Sequence, residues 1–138
     1  MIPPFNDSGF LPPGVHPASL DEIEARFGVQ SDERRAQMES VRWMIDLAIR
    51  AGVKRIVLNG SFVTDIIEPN DVDCVLLQGP GPLKDPAAEA ELRSGLLPYL
   101  DIALLRRKDF ESMVNFVLRP IVTKSQRAWW RCFYEPQR

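Results

Sequence analysis

Apolar residues in the first third of the chain recur at intervals of three and four, whereas those of the middle third gather in short unbroken runs. The first pattern predicts helices and the second buried strands. Ser19, with Glu22 three residues on, makes a capping box ahead of Leu20, Ile23 and Phe27, and Gly28 supplies a stop, so a short helix is predicted there. A longer helix is predicted from Ser31 until Gly52 ends it: Asp32 and Glu33 suit its positive end, and Met38, Val41, Ile45, Ala48 and Ile49 share one face. Arg55-Ile56-Val57-Leu58-Asn59, closed by Gly60, reads as a buried strand, and Val72-Asp73-Cys74-Val75-Leu76-Leu77 as a second. Beyond the turn Gly79-Pro80-Gly81-Pro82, a helix is predicted over residues 86–97, a third strand over 99–105, and helical spacing again over 109–118. The order helix, strand, strand, helix, strand, helix predicts a small α/β (α+β) domain, a mixed sheet flanked by helices.

Prolines at positions 3, 4, 12, 13 and 17 fix their own φ and bias the preceding residues away from helix. Residues 1–18 are therefore expected to be an extended arm, pinned by Phe5, Phe10 and Leu11 against a single domain over 19–138.

A length of 138 residues suits one domain, and 45% apolar with 26% charged residues is ordinary for a globular chain. Two cysteines, Cys74 and Cys132, are too few for a disulfide framework and predict reduced thiols in a cytoplasmic protein. No run approaches the length of a membrane span, and the opening Met1-Ile2-Pro3-Pro4 lacks the order of a signal peptide. A formal charge of −2 argues against a general nucleic-acid binder, but the charge is uneven. Residues 1–105 carry nine basic and sixteen acidic side chains, residues 106–138 eight and three.

The acidic side chains include three in unexpected places. Aspartate is disfavoured in strands, yet Asp71 and Asp73 open one and Asp101 sits early in another. Alternation puts Asp71 and Asp73 on one face, roughly 6.5 Å apart at Cα, and Asp101 joins them if the third strand lies beside the second. Gathered carboxylates at the edge of an apolar core repel and resist desolvation, and a hard divalent cation relieves both. Oxygen ligands without histidine or thiolate suit Mg²⁺ or Mn²⁺. The plain alternative is that Pro69-Asn70-Asp71 closes a turn, and Asp101 caps a loop. Upstream, Gly60-Ser61 ends a strand and opens a short helical turn, where backbone amides and the Ser61 hydroxyl can donate to phosphate oxygens; its plain alternative is an ordinary cap.

Leu58-Asn59-Gly60-Ser61, Asp71-Val72-Asp73 and Leu100-Asp101-Ile102-Ala103 together resemble the nucleotidyltransferase superfamily related to DNA polymerase β, especially its minimal, antitoxin-like prokaryotic members. The likeness covers residues 55–105. Leu11-Pro12-Pro13-Gly14-Val15-His16, with Gly60-Ser61-Phe62-Val63-Thr64 and Pro69-Asn70-Asp71-Val72-Asp73, is also similar to an uncharacterised bacterial family assigned to that fold. The resemblance implies that Gly60 and Ser61 hold nucleotide phosphates, that Asp71 and Asp73 bind two Mg²⁺ ions, and that Asp101, also a ligand, helps activate an acceptor hydroxyl. It implies transfer of a nucleoside monophosphate from an NTP to a protein or RNA hydroxyl, in a toxin–antitoxin or phage-defence setting with a partner toxin. Two cations that clamp the attacking and leaving oxygens would need no nucleophilic side chain.

Many members carry a basic residue and then glycine after the Gly-Ser pair, where this chain has Thr64 and Asp65. A carboxylate there is expected to repel phosphates, which favours a second reading: a catalytically silent module that acts through protein contacts. Arg127-Ala128-Trp129-Trp130-Arg131-Cys132-Phe133-Tyr134 is its candidate interface; the same segment can stack bases, or complete the core through the helical spacing of Trp129, Cys132 and Phe133. His16, the only histidine, is expected to bond locally in a loop, and the prolines of 79–82 exclude a P-loop there. Arg106, Arg107 and Lys108 read as a solvated helix entry, within reach of a triphosphate or RNA end in the alternative.

Overall fold

Side-chain caps set the helix starts. The Ser19 hydroxyl accepts from the Glu22 N–H to open α1 (Leu20–Phe27), and the Ser31 hydroxyl accepts from the Arg34 N–H to open α2 (Asp32–Ala51). Gly52, at φ +81°, ends α2 in the left-handed conformation that side chains disfavour. A computed structural model describes residues 2–12, 14–118 and 131–134, the backbone alone at 114–118 and 131–134.

The sheet contains β1 (Val15–Pro17), β2 (Arg55–Asn59), β3 (Val72–Gln78), β4 (Leu100–Arg106) and β5 (Arg131–Tyr134), in the order β1-β5-β2-β3-β4. It is mixed: β2 runs antiparallel to β3 and β5, while β3 with β4 and β1 with β5 are parallel. The parallel pair β3–β4 is joined through α3 (Pro86–Arg93), whose N-cap Asp85 accepts from the Ala87 and Ala88 amides. A short 3₁₀ turn, Ser61–Val63, follows β2.

Strand alternation sorts the core into two faces. Ile56, Leu58, Val72, Cys74 and Leu76 join Met38, Val41, Ile45 and Ala48 of α2 and Leu92 of α3 in the main core. Val57, Val75 and Leu77 face the other way, onto Phe110 of α4 (Arg107–Leu118). Helices therefore flank both faces of the sheet, as expected of a small α+β domain.

Several boundaries differ from the sequence expectation. The helix predicted over 86–97 stops at Arg93, because the Ser94 hydroxyl donates to the Glu91 carbonyl and Gly95 turns at φ +71°. Of the α2 stripe, Met38, Val41, Ile45 and Ala48 are buried as expected and Ile49 is 46% exposed, while Met44, Leu47 and Ala51 are buried as well. The arm is extended at 15–17, which pair as β1, but it turns at 7–9, where the Gly9 N–H donates to the Asn6 carbonyl. Ile2 and Leu11 are buried, and Arg26 donates to the Ile2 and Pro3 carbonyls while lying 4.7 Å over the Phe5 ring. Helical spacing at Cys132 and Phe133 is overturned, for both lie in β5, where pairing to β1 and β2 decides the conformation. Trp129 and Trp130 lie outside the described residues. Among the described residues no helix is long and apolar enough to cross a membrane, and Cys74 is a buried free thiol.

Candidate functional site

The end of β2 and the beginnings of β3 and β4 meet at one edge of the sheet because β3 returns antiparallel to β2 and β4 runs parallel to β3. Register then places Asn59, Asp73 and Asp101 in one row: Asn59 is the partner of Asp73, and Asp73 of Asp101. Paired residues project from the same face, here the one that carries Val57, Val75 and Leu77 onto α4 farther along. Asp71 precedes β3 by one residue, and the Val72 N–H donates to the Tyr99 carbonyl at 2.7 Å, which locks the two strand entries together. Tyr99 makes this turn at φ +64°, a conformation that a bulky residue adopts only under constraint.

Gly60 brings the turn after β2 against this row. Its backbone lies at φ +82° and ψ −161°, a region open only to glycine. A Cβ there would come within 3.3 Å of Asp73 Cγ and overlap Oδ2. The Gly60 backbone and the Asp73 carboxylate thus stand against each other.

Electrostatics follow from the crowding. The Asp73 carboxyl is pushed up to about 6, first by burial, then by Asp71 and Asp101. Burial, with the same three charges, also raises the Cys74 thiol, so it stays protonated and unreactive. No lysine or arginine among the described residues pairs with Asp71, Asp73 or Asp101. Asn59 Oδ1 is buried without a hydrogen-bond partner, an unmatched acceptor at the same edge. A cavity of about 270 Å³ reaches Asp71 and Asp101 from the α3 side of the sheet, lined also by Glu91 and Arg93 over an apolar floor that includes Leu97 and Ile102; Asn59, Gly60 and Asp73 do not line it.

The expected three-carboxylate ligand set is not closed. Among the described residues no three His, Cys, Asp or Glu side chains stand close enough to hold one ion. Asp71 and Asp101 are exposed, and like charges without a counterion separate toward water. What remains fits Mg²⁺ or Mn²⁺ held by one or two carboxylates, with water and phosphate oxygens completing the shell, which is how Mg²⁺ is ordinarily bound.

The sequence reading missed the residues that hold the connection from Ser61 to Asp71. Arg34 of α2 is 2% exposed, and its guanidinium makes five hydrogen bonds, all to backbone carbonyls. Nη1 donates to Phe27 (2.9 Å) and Phe62 (2.7 Å), Nη2 to Thr64 (2.7 Å) and Ile66 (2.5 Å), and Nε to Ile66 (2.9 Å). Ser31 Oγ donates to the Ile67 carbonyl at 2.9 Å, and Gln37 Nε2 to that of Pro69. Burial pulls the guanidinium below its usual value, and Asp65 opposes that pull. Asp65 also lies against Gly9 of the arm, so this carboxylate faces α2 and the arm. A signal was present: Arg34 falls in the apolar stripe of α2, four and seven residues before Met38 and Val41.

The other candidates have local roles. His16 Nε2 donates to the Pro12 carbonyl at 2.7 Å. Arg106 donates to the Gly79 and Gly81 carbonyls and so pins the connector 79–82, while Arg107 pairs with Glu111. Neither the curated proteins nor the solved structures offer a match to this chain. A family model does match, over residues 3–138, and the chain accordingly belongs to DUF6932, a family of unknown function.

Proposed function

We propose that this protein is a divalent-cation-dependent nucleotidyltransferase that moves a nucleoside monophosphate from an NTP to a hydroxyl on a protein or RNA. The observation that carries the reading is the contact of Gly60 with the Asp73 carboxylate, itself in register with Asp101. On this reading a turn open to phosphate oxygens and a carboxylate pair suited to a divalent cation stand side by side. Asp73, with Asp71 or Asp101, would hold Mg²⁺, which supplies charge neutralisation on the phosphate oxygens. Gly60 admits the phosphates to the backbone and the Ser61 hydroxyl donates to them. Asp101 accepts the proton of the acceptor hydroxyl as its oxygen bonds to the α-phosphorus and pyrophosphate departs. A partner toxin is the acceptor that the superfamily resemblance suggests.

Labelled NTPs with Mg²⁺ or Mn²⁺ test the reading: wild type should label an acceptor in a lysate or a candidate partner, and Asp73→Ala should not. Equal labelling by both would end the catalytic claim.

One feature favours the silent binding module. Trp43 and Leu96 are 51% and 85% exposed at a largely apolar groove of about 380 Å³ between α2 and α3. That reading requires a stable complex with a protein partner and no metal-dependent NTP binding.

A further inference from the structure

We propose that Arg34 is the positioning residue of the candidate site, and this inference rests on the nucleotidyltransferase reading. The connection 61–71 joins the phosphate turn to Asp71, and apart from its opening 3₁₀ turn it has no regular structure. A connection of that kind ordinarily drifts. Here five of its carbonyls, those of Phe62, Thr64, Ile66, Ile67 and Pro69, are captured by Arg34, Ser31 and Gln37, spaced three residues apart on one face of α2.

Arg34 is the centre of that grip. A guanidinium has five N–H donors in a fixed planar fork, and all are used. A buried cation is costly, and an apolar residue here would leave the carbonyls of Phe62, Thr64 and Ile66 without these donors. Lysine does not substitute, since three donors on one nitrogen cannot span carbonyls that approach from several directions. Asp73 is held separately, by the ladders to Asn59 and Asp101. Asp71 is held beside it by the bond from the Val72 N–H to the Tyr99 carbonyl. Arg34 therefore fixes the Ser61 turn, through Phe62, Thr64 and Ile66, relative to carboxylates that need no help, and its loss should separate the two halves of the site without dissolving either.

Full-length Arg34→Lys and Arg34→Ala test this by three readouts taken well below the melting transition: amide exchange, Asp73 carboxyl titration by NMR, and calorimetry with Mn²⁺ and a non-hydrolysable ATP analogue. Expected are faster exchange confined to 61–71, an unchanged Asp73 titration, and nucleotide affinity weaker by roughly tenfold or more. Millimolar guanidinium should restore affinity to Arg34→Ala, and methylammonium should not. If Arg34→Ala does not fold, Gln37→Met, which removes one bond and no charge, must change exchange and affinity in the same direction. Folded variants with wild-type exchange and affinity overturn the proposal. A wild-type protein that binds no nucleotide, while exchange changes as stated, overturns the nucleotidyltransferase reading and reduces Arg34 to a structural clamp.

Discussion

Gly60 and Asp73 touch: the glycine backbone, at φ +82°, leaves no room for a Cβ beside the aspartate carboxylate. Gly60→Ala should therefore cost about 1–3 kcal/mol from the backbone conformation alone. It must also push Asp73 from its place. Urea denaturation measures the first effect and the Asp73 carboxyl shift the second; an alanine variant of wild-type stability with an unmoved Asp73 would contradict the contact.

Asp73 gives the metal-free protein a defined pH dependence. Its folded value, about 6, lies above the 3.8 of an unperturbed aspartate. Protonated Asp73 is thus favoured by folding, and its contribution to stability is present below about pH 4 and lost as pH rises through 6. Asp73→Asn, which cannot ionise, should be more stable than wild type at neutral pH by on the order of 1 kcal/mol, after discount for solvent screening. Near pH 4 the two should converge. Denaturation in EDTA at both pH values checks this; an asparagine variant less stable at neutral pH would reverse the sign and refute the argument.

Asp101→Asn should lower the Asp73 carboxyl without returning it to the ordinary aspartate range, since burial and Asp71 remain. The comparison reads their proximity directly by NMR titration. An unshifted Asp73 would mean that the two carboxylates do not interact.

Gly9 ties the arm to the connection 61–71. At φ +83° it lies against the Asp65 carboxylate, its carbonyl accepts from the Asp65 N–H, and Phe10 bridges to Thr64. Gly9→Ala should loosen this strap at a cost of about 1–2 kcal/mol and expose residues 4–12 to protease, while Arg26 still holds Ile2 and Pro3. Limited proteolysis with a stability measurement checks it; unchanged cleavage would show the strap to be unimportant.

Elements with strong local signals were legible in the sequence, and those decided by distant partners were not. Ser19, Ser31 and Gly52 marked α1 and α2 because caps act within one turn. The runs at 55–59 and 72–77 were legible because both strands are central and buried. β1 escaped notice, being three residues long and ending in Pro17, and so did β5, whose strand conformation comes from its neighbours. Asp71, Asp73 and Asp101 stood out as carboxylates at strand starts, but the exposure of Asp71 and Asp101 beside a half-buried Asp73 was not legible, since burial is set by what packs around each strand end. Arg34 was hidden by its neighbours: in Asp32-Glu33-Arg34-Arg35 it looks like one more solvated charge, yet Arg35 pairs with Asp32 at the surface while Arg34 turns inward.

The central claim is that Gly60-Ser61 and the Asp73 carboxylate together hold a nucleotide through a divalent cation. Calorimetry with non-hydrolysable analogues of the four NTPs, with Mn²⁺ and in EDTA, tests it most directly. Binding of at least one analogue by wild type, lost in EDTA and in Asp73→Ala and weakened in Ser61→Ala, is the predicted result. Absence of metal-dependent heat for every analogue, or an Asp73→Ala protein that binds as wild type does, would contradict it.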